Sequence, residues 1–407
     1  MPPPGVYFKW TGRCPMSRKR MIAVLAVILA FSMGVPAAGL SQTRVDNPGR
    51  ARAKNAGRFV QLEEVLRIRD DGEAALFKSP RFFKLGPDGS LHFVDFAEGD
   101  RIYRYGADGK LVRKLLKTGQ GPGECQYVAD FIVTGDRVRV LAWSPPKIMD
   151  FSLENGRYLR EARVQEDSHG LWFLGTAGGK IYGIRDEVFR SAAFENAGVF
   201  SIPNVVYEIS PDFRTWRKIY EFPVRMLTKT RRAFRLDPID AAIHGTTLYI
   251  NHTAEYRVTE LDLSSGVAKR VISRAYDRVR GKPAKPEDAD PELKGVELPD
   301  DPYVWDIARI HATAGKLWVF TSAMKPDGDD NQVDVFDADG RYADSVILRY
   351  PAGNRNHRRM SRWTLMTDDG FFVIPEQEED GLVSIGKYRI VDADLFPASA
   401  KKSGTPD

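Results

Sequence analysis

The sequence predicts an all-β fold built from short strands. From Phe59 onward, apolar residues alternate with polar ones at a period of two, in short runs bounded by Gly, Asp and Asn. This alternation is typical of half-buried strands, and no segment keeps a helical period over three turns. Hydrophobic residues make up 43% of the 407 positions and aromatic residues 11%. That composition supports a large core and excludes general disorder.

A unit of about 40 residues recurs along the chain. The first unit runs from Pro80 to Lys117 and divides into four strands, joined by turns at Asp88-Gly89, Gly99-Asp100 and Asp108-Gly109. The second runs from Val128 to Val164, and four more units contain the phrases GGKIYGI, TTLYINH, GKLWVFTS and DGFFVIP. Repetition at this spacing is the signature of β-propeller blades. We therefore predict a six-bladed β-propeller.

The sixth unit lacks one strand. It ends near Val391 after its third strand, whereas Phe59–Asp70 is a period-two strand with no unit of its own. Pairing this N-terminal strand with Leu382–Ile390 would close the ring and remove the exposed sheet edges of an open array. We therefore expect the ring to be closed by the first strand of the domain, through pairing into the last blade.

The first 38 residues have the layout of a secretory signal. Arg18-Lys19-Arg20 precedes an apolar run, which is followed by small residues up to Ala38. Met16 is a more natural start than Met1, so we interpret residues 1–15 as an over-extended start that is not translated. This layout predicts export to the periplasm or the cell exterior. In the alternative, the uncharged run of about 22 residues that begins at Met21 stays uncleaved and anchors the chain in a membrane.

The remaining segments complete the predicted organisation. Residues 39–58 are polar and rich in Arg, Asn and Gly, which favours a flexible linker. The propeller then occupies residues 59–396, with a loop insert at 279–301 that is rich in Pro and charge. Residues 397–407 are expected to form a disordered tail.

The charge distribution argues against a nucleic-acid partner. The formal net charge is +5, and this excess lies entirely in the leader, at Lys9, Arg13, Arg18, Lys19 and Arg20. Phosphate binding requires a clustered excess of Lys and Arg, which the rest of the chain lacks.

The run from Pro80 to Glu124 resembles the six-bladed β-propeller family related to NHL repeats, which is common among exported bacterial proteins. The resemblance rests on the phrases LHFVD and DRIYRYGADGKLVRK and on the connector Thr118-Gly-Gln-Gly-Pro-Gly-Glu124. It implies strands stacked radially around a central channel. It also suggests a buried thiol at Cys125, where the family usually has Phe. Members of the family include binding proteins and a few enzymes, so the resemblance leaves the function open.

In such a ring, one position of each first strand would face the channel. That position reads Phe82, Asp130, Trp172, Asp240, Asp306 and Trp363. Carboxylates gathered in one small space repel each other and attract a cation. Asp130, Asp240 and Asp306 are therefore candidate ligands of Ca²⁺ or another divalent cation. In the alternative, each Asp bonds to backbone N–H groups of a neighbouring blade.

The ends of the second strands would form a rim at one face of the ring. The candidate ligand-binding residues there are Asp95, Trp143, Arg185, His252 and Glu376. Such side chains can hold a polar ligand by charge-assisted hydrogen bonds and stacking. In the alternative they brace the blades, with Asp95 paired to Arg101 of its own turn.

Two functional hypotheses follow. The first is an exported binding module for a polar ligand or for an envelope or extracellular protein. The second is a metal-dependent hydrolase similar to lactonases, in which a channel cation activates water. The sequence has no G-x-S-x-G, H-E-x-x-H or Walker motif. Against the hydrolase, Asp306 fits the channel position only if its longer turn absorbs one residue, and the other three channel positions are aromatic. The binding module is therefore the preferred hypothesis, and we assign no catalytic residues.

Overall fold

The computed structural model describes residues 42–69, 77, 79–95, 101–164, 170–281, 291–324, 331–349, 364–377, 383–392 and 395. The predicted signal segment, the C-terminal tail and Trp363 lie outside these residues. The chain divides into two compact units, Met1–Gln42 and Thr43–Asp407. Every element given below belongs to the second unit, and only Gln42 of the first is described.

The strands are numbered β1 to β28 in chain order. Two strands precede the repeated units, namely β1 (Thr43–Asn47) and β2 (Arg58–Ile68). Blade 1 contains β3 (Pro80–Leu85), β4 (Leu91–Asp95), β5 (Arg101–Tyr105) and β6 (Leu111–Leu115). The short parallel strands β7 (Lys117–Thr118) and β8 (Glu124–Cys125) frame the glycine-rich connector. Blade 2 contains β9 (Tyr127–Thr134), β10 (Arg137–Ser144), β11 (Pro146–Ser152) and β12 (Tyr158–Arg163).

The other four blades follow along the chain. Blade 3 contains β13 (Leu171–Ala177), β14 (Lys180–Asp186), β15 (Gly198–Ile209), β16 (Trp216–Lys229) and an additional β17 (Arg232–Arg235). Blade 4 contains β18 (Asp240–His244), β19 (Thr247–Asn251), β20 (Arg257–Asp262) and β21 (Val267–Arg274). Blade 5 contains β22 (Ile307–Thr313), β23 (Lys316–Met324), β24 (Asn331–Phe336) and β25 (Tyr342–Arg349). Blade 6 contains β26 (Leu365–Met366), β27 (Phe371–Gln377) and β28 (Val383–Ile390).

The blades form a closed ring. Each is an antiparallel meander, and the first strands of neighbouring blades contact one another in the order β3, β9, β13, β18, β22 and β26, while β27 contacts β3. The helical elements among the described residues are the short 3₁₀ turns Glu187–Arg190, Ala192–Glu195 and Pro291–Leu293, and none of them is long and apolar enough to cross a membrane. The chain is a six-bladed β-propeller, as its sequence predicts.

The N-terminal strand closes the ring. Leu62–Ile68 of β2 pairs antiparallel with β28, from Leu62 opposite Ile390 to Ile68 opposite Ile385. Blade 6 thereby gains its fourth strand, which confirms the predicted closure. The first part of β2 makes an additional pairing, because Arg58–Gln61 runs parallel to Val346–Arg349 of blade 5. This single strand therefore joins blades 5 and 6 in one sheet.

The segment before β2 differs from the predicted flexible linker. Thr43–Asn47 forms β1, which pairs in parallel with β21 as a fifth, outer strand of blade 4. Ala51 is buried against blades 4 and 5. A strand added to a sheet edge is held mainly by backbone hydrogen bonds, so it needs no apolar alternation. Because the segment is polar and lacks apolar alternation, its sequence does not indicate a strand.

The hydrophobic core lies between the blades. Each of the six clusters of buried residues spans two neighbouring blades. At the closure, Phe93 and Tyr103 of blade 1 pack with Val373 and Ile385 of blade 6, and with Ile68 of the closing strand. Face-to-face packing of blades thus buries both sides of inner strands such as β4, whereas the outer strand β6 stays partly exposed. Cys125 is 2% exposed in the cluster between blades 1 and 2, as the resemblance suggests.

The loop between blades 4 and 5 packs against blade 3 where it is described. Leu293 is 1% exposed, and Lys229 of β16 donates a hydrogen bond to the Lys294 carbonyl oxygen at 2.9 Å. Arg232 of β17 forms an ion pair with Glu292 at 3.2 Å. Residues 282–290 of the predicted insert lie outside the described part.

Candidate functional site

A cavity of about 410 Å³ lies at one end of the central channel, and we call it the channel-mouth cavity. It is formed where first strands begin and second strands end, and blades 1 to 5 all contribute to its walls. At this end of the propeller, residues that are distant in sequence lie around one cavity. Lys84 of blade 1 and Arg309 of blade 5 line the same cavity.

A glycine shapes the blade 3 wall. Gly170 has a φ of +78°, and a Cβ there would lie 2.9 Å from the Asp186 carbonyl oxygen and 3.2 Å from the Phe189 ring. The missing side chain lets the backbone N–H of Asp186 donate to the Gly170 carbonyl oxygen at 3.1 Å. This close approach holds the end of β14 against the start of β13. A side chain at position 170 would therefore push Asp186 and Phe189 out of place.

Aromatic side chains form much of the cavity surface. Phe82, Trp143, Trp172, Phe173 and Phe189 all line it. Trp143 is 51% exposed and Phe189 is 50% exposed, an unusual state for large apolar side chains. Because these two rings lie at a cavity, they offer stacking surface to a bound molecule.

Phe189 is presented by a short 3₁₀ turn, Glu187–Arg190. The Asp186 side chain caps this turn by accepting a hydrogen bond from the Val188 N–H at 3.0 Å. The ring of Phe189 also makes an edge contact with Phe194, with centroids 5.2 Å apart. The aromatic edge of the cavity is thus held by local structure.

Three cationic side chains line the cavity, namely Lys84, Arg235 and Arg309. Arg235 forms an ion pair with Asp186 at 3.1 Å, and its guanidinium lies 5.1 Å from the Trp172 ring centroid. Arg309 forms an ion pair with Asp240. Two of the three cations are therefore neutralised by carboxylates of the same cavity.

Asp130 and Asp240 connect the first strands of adjacent blades. Asp130 accepts hydrogen bonds from its neighbour Phe131 N–H at 2.7 Å and from Phe173 N–H of blade 3 at 2.8 Å. Asp240 accepts one from Ile310 N–H of blade 5 and one from Arg309. Burial raises the pKa of both carboxyl groups, and the charges of Lys84 and Arg309 act in the opposite direction on Asp130 and Asp240, respectively.

The predicted cation site is not assembled in the described structure. Asp306 accepts hydrogen bonds from Tyr256 N–H of blade 4 at 2.9 Å and from Arg278 Nε at 2.9 Å. It does not line the channel-mouth cavity, whereas Asp130 and Asp240 do. In the described ranges, no three or more His, Cys, Asp or Glu side chains are grouped to hold a metal ion. All three carboxylates instead bond to backbone N–H groups of neighbouring blades, as in the alternative interpretation.

The predicted rim residues are dispersed, and only Trp143 of the five is described at the cavity. Asp95 is fully buried and accepts a hydrogen bond from Ser79 N–H at 3.2 Å. It lies opposite Arg101 in the β4–β5 pairing. His252 packs against Phe222, with ring centroids 4.7 Å apart and ring planes inclined at 41°, and burial lowers its pKa. The side chain of Glu376 lies outside the described residues.

Arg185 lies in a separate groove of about 380 Å³. It bonds to Glu187 at 2.8 Å and to the Tyr207 hydroxyl at 2.6 Å. Its guanidinium also lies 4.7 Å from the Tyr207 centroid and 5.6 Å from that of Trp216. These contacts make Arg185 a brace within blade 3 and not a part of the channel-mouth cavity.

Sequence reasoning missed Lys84, Phe189, Arg235 and Arg309. Lys84 lies two residues after Phe82 in β3, but the β3–β4 pairing shifts register between Arg81 and Lys84. Simple strand alternation therefore does not place it. Arg309 is also hard to place, because the β22–β23 pairing shifts register between Ile307 and Arg309. Phe189 and Arg235 lie outside the compared first-strand and second-strand positions.

Comparisons with known proteins support the fold. A family model described as "6-bladed beta-propeller" matches residues 87–176. A solved structure of a candidate exported protein from Bacteroides fragilis aligns with a TM-score of 0.53 and 14% identity, covering 86% of this chain and 100% of the other. At this identity the likeness concerns the fold alone.

Two further solved structures align more weakly. Glutaminyl cyclase from Myxococcus xanthus aligns with a TM-score of 0.31 and 12% identity over 65% of this chain and 92% of the other. A nidogen/laminin complex gives 0.38 and 11% identity over 67% of this chain and 85% of the other. A search of curated proteins finds no match. The six-bladed fold fits a binding module, and the site must supply any finer functional assignment.

Proposed function

We propose that this protein is an exported binding module whose ligand occupies the channel-mouth cavity. The observation that carries the proposal is the half-exposed pair Trp143 and Phe189 at a cavity lined by five blades. Exposed aromatic rings are costly in water, and a ligand stacked on them would remove that cost. The leader at residues 1–38 supports export, because a basic cluster precedes its apolar run.

The size of the cavity favours a small molecule over a protein partner. Its volume of about 410 Å³ falls within the range of roughly 300–1,000 Å³ that is typical of small-molecule sites. Its lining also fits this class, since apolar walls are combined with a few charged groups. A protein partner would instead bury roughly 800 Å² on each side of the interface.

The alternative, a cation-dependent hydrolase, receives less support. Its ligand set would need Asp130, Asp240 and Asp306 to point at one ion, and each of them instead bonds to a neighbouring blade. A metal centre assembled from them would also have to break those bonds. We therefore retain the binding module as the functional assignment.

Calorimetry with purified variants tests the proposal. Wild-type protein is titrated with a panel of small organic acids, amines and neutral amides, and Trp143→Ala and Phe189→Ala are titrated in parallel. For a compound bound in the cavity, loss of one ring should weaken binding about three- to tenfold, the usual worth of an aromatic contact. Val112→Ala, which alters an exposed residue on the outer strand of blade 1, is the control and should bind normally.

The outcome that contradicts the proposal is equally specific. If no compound of the panel binds, or if both ring variants keep wild-type affinity while remaining folded, the cavity is not the ligand site. Far-UV circular dichroism and the melting temperature establish that each variant is folded.

A further inference from the structure

The hydrogen-bond acceptors of the channel-mouth cavity are already in use. Asp130, Asp186 and Asp240 supply its carboxylates. Both oxygens of each carboxylate accept a hydrogen bond, from backbone N–H groups or from the two arginines of the cavity. A ligand that offers only donors would therefore have to compete with bonds that hold the blades together.

Lys84 differs from these carboxylates, because its hydrogen-bonding groups are not in use in the described structure. The residue lines the cavity, and its ammonium has no hydrogen-bond or ion-pair partner within the part of the chain that the structure describes. An ammonium carries three N–H donors, so this group supplies unused donor capacity. The charge of Lys84 does act on Asp130: burial raises the pKa of this carboxyl group, and the charge of Lys84 opposes that rise.

The ion pairs of the cavity also distinguish Lys84 from the two arginines. Arg235 is paired with Asp186 and Arg309 with Asp240. Asp130 is held by two backbone N–H groups, which compensate a carboxylate without contributing a formal charge. Lys84 is thus the one cation of the cavity that lacks a bonded carboxylate among the described residues. The three cations and three carboxylates of the cavity balance in formal charge, so an anionic group would supply the bonded acceptor that the Lys84 ammonium lacks.

The aromatic walls define the rest of the ligand. The Arg235 guanidinium already covers one face of Trp172. Trp143 and Phe189 are half exposed, so each ring presents surface on which a planar or apolar body can stack. A bare inorganic ion would leave these two rings in water, so the complementary molecule combines an anionic end with an apolar part.

We propose that the ligand of the channel-mouth cavity is a small organic carboxylate, whose carboxylate group binds the Lys84 ammonium and whose apolar body packs on Trp143 and Phe189. The inference rests on the proposed function and narrows it to one ligand class. Hydrogen bonds between an ammonium and a carboxylate are charge-assisted, so they contribute more than neutral ones.

The test compares two molecules of the same shape and different charge. Hydrocinnamate carries a carboxylate on a short phenyl-bearing chain, and hydrocinnamamide is its neutral counterpart. Both are titrated into wild type and Lys84→Met, in which methionine keeps the apolar stem and removes the charge. Lys110→Met is the matched control, because Lys110 lies in an exposed turn of the same blade.

Wild type should bind the acid roughly tenfold more tightly than the amide, the ratio expected from one charge-assisted hydrogen bond. Lys84→Met should abolish that preference by weakening acid binding more than amide binding, whereas Lys110→Met should behave as wild type. High salt should weaken acid binding only.

The contrary outcomes separate the two proposals. Equal affinity for acid and amide in wild type, or an acid affinity that Lys84→Met does not change, would overturn the carboxylate proposal. If Trp143→Ala still weakened binding in that case, the cavity would remain the ligand site. Absence of binding by both compounds at millimolar concentration would overturn the carboxylate proposal, and the wider panel would then decide the proposed function.

Discussion

The carboxylate of Asp130 on β9 accepts a hydrogen bond from the backbone N–H of Phe173 on β13 at 2.8 Å, and so links the first strands of blades 2 and 3. Asp240 makes the same kind of link from blade 4 to Ile310 of blade 5. The aspartates that recur at this first-strand position thus accept hydrogen bonds that join neighbouring blades. This role explains why carboxylates line a channel without being gathered into a cation site in the described residues.

Asp130→Ala should lower the free energy of unfolding by about 1–3 kcal/mol, because two buried N–H groups lose their acceptor. Asp136→Ala removes a carboxylate from an exposed turn of the same blade, where the side chain is 72% exposed. That control should change stability by less than about 1 kcal/mol. Urea denaturation measures both values, and equal effects would contradict the role assigned to Asp130.

Arg274 and Asp334 form a buried ion pair at 2.7 Å between blades 4 and 5. Asp334 also accepts hydrogen bonds from the hydroxyls of Tyr256 at 2.7 Å and Tyr342 at 2.8 Å. Arg274→Met leaves this carboxylate without its cation, and we expect a loss of about 3–5 kcal/mol in the free energy of unfolding. Arg44→Met, which alters an exposed side chain, should have little effect. A loss below 1 kcal/mol, as for a typical surface pair, would contradict the account.

Asn47 fastens the N-terminal segment to two blades. Its amide Nδ2 donates to the carbonyl oxygens of Ser273 at 3.0 Å and Gly340 at 3.0 Å, and its Oδ1 accepts from Tyr342 N–H at 2.8 Å. Asn47→Ala should reduce stability by about 1–3 kcal/mol. Thr43→Ala on the same strand is exposed and serves as the control. Identical melting temperatures for the two variants would show that the Asn47 side chain adds nothing to the stability of the ring.

His92 should make the fold sensitive to acid. It is fully buried, and burial, helped by the charge of Arg104, lowers its pKa to about 4. The unfolded chain, with an ordinary histidine pKa of about 6.5, binds the proton first as the pH falls. The contribution of His92 to the free energy of unfolding is therefore fully present above about pH 6.5. It declines between about pH 6.5 and pH 4, by about 1.4 kcal/mol per pH unit.

Denaturation of wild type and His92→Asn across this pH range measures the effect. The variant should lose a part of the slope, because the other buried histidines, His252 and His311, also have lowered pKa values and contribute with the same sign. Parallel pH profiles for the two proteins would exclude His92 as a source of acid sensitivity.

The closed ring of blades could be predicted from the sequence, because the patterns that indicate each blade are local. Period-two alternation and Gly or Asp turns mark each blade, and the missing strand of the last blade points to Phe59–Asp70. The edge strand Thr43–Asn47 could not be predicted in this way. It is joined to blade 4 through backbone bonds that leave no apolar pattern.

The candidate site was predicted in part. Phe82, Asp130, Trp172 and Asp240 line the cavity as their shared first-strand position suggested. At the end of the second strand of blade 3, the predicted rim position is displaced by one residue. Arg185 lines the separate groove, whereas its neighbour Asp186 lines the cavity. Adjacent strand residues point to opposite faces, so an error of one position reverses the assignment.

A crystal structure of the protein soaked with hydrocinnamate tests the central claim most directly. The account predicts ligand density in the channel-mouth cavity, with a carboxylate oxygen about 3 Å from Lys84 Nζ and the phenyl ring against Trp143 or Phe189. Ligand density confined to another surface, such as the groove beside Arg185, would contradict it.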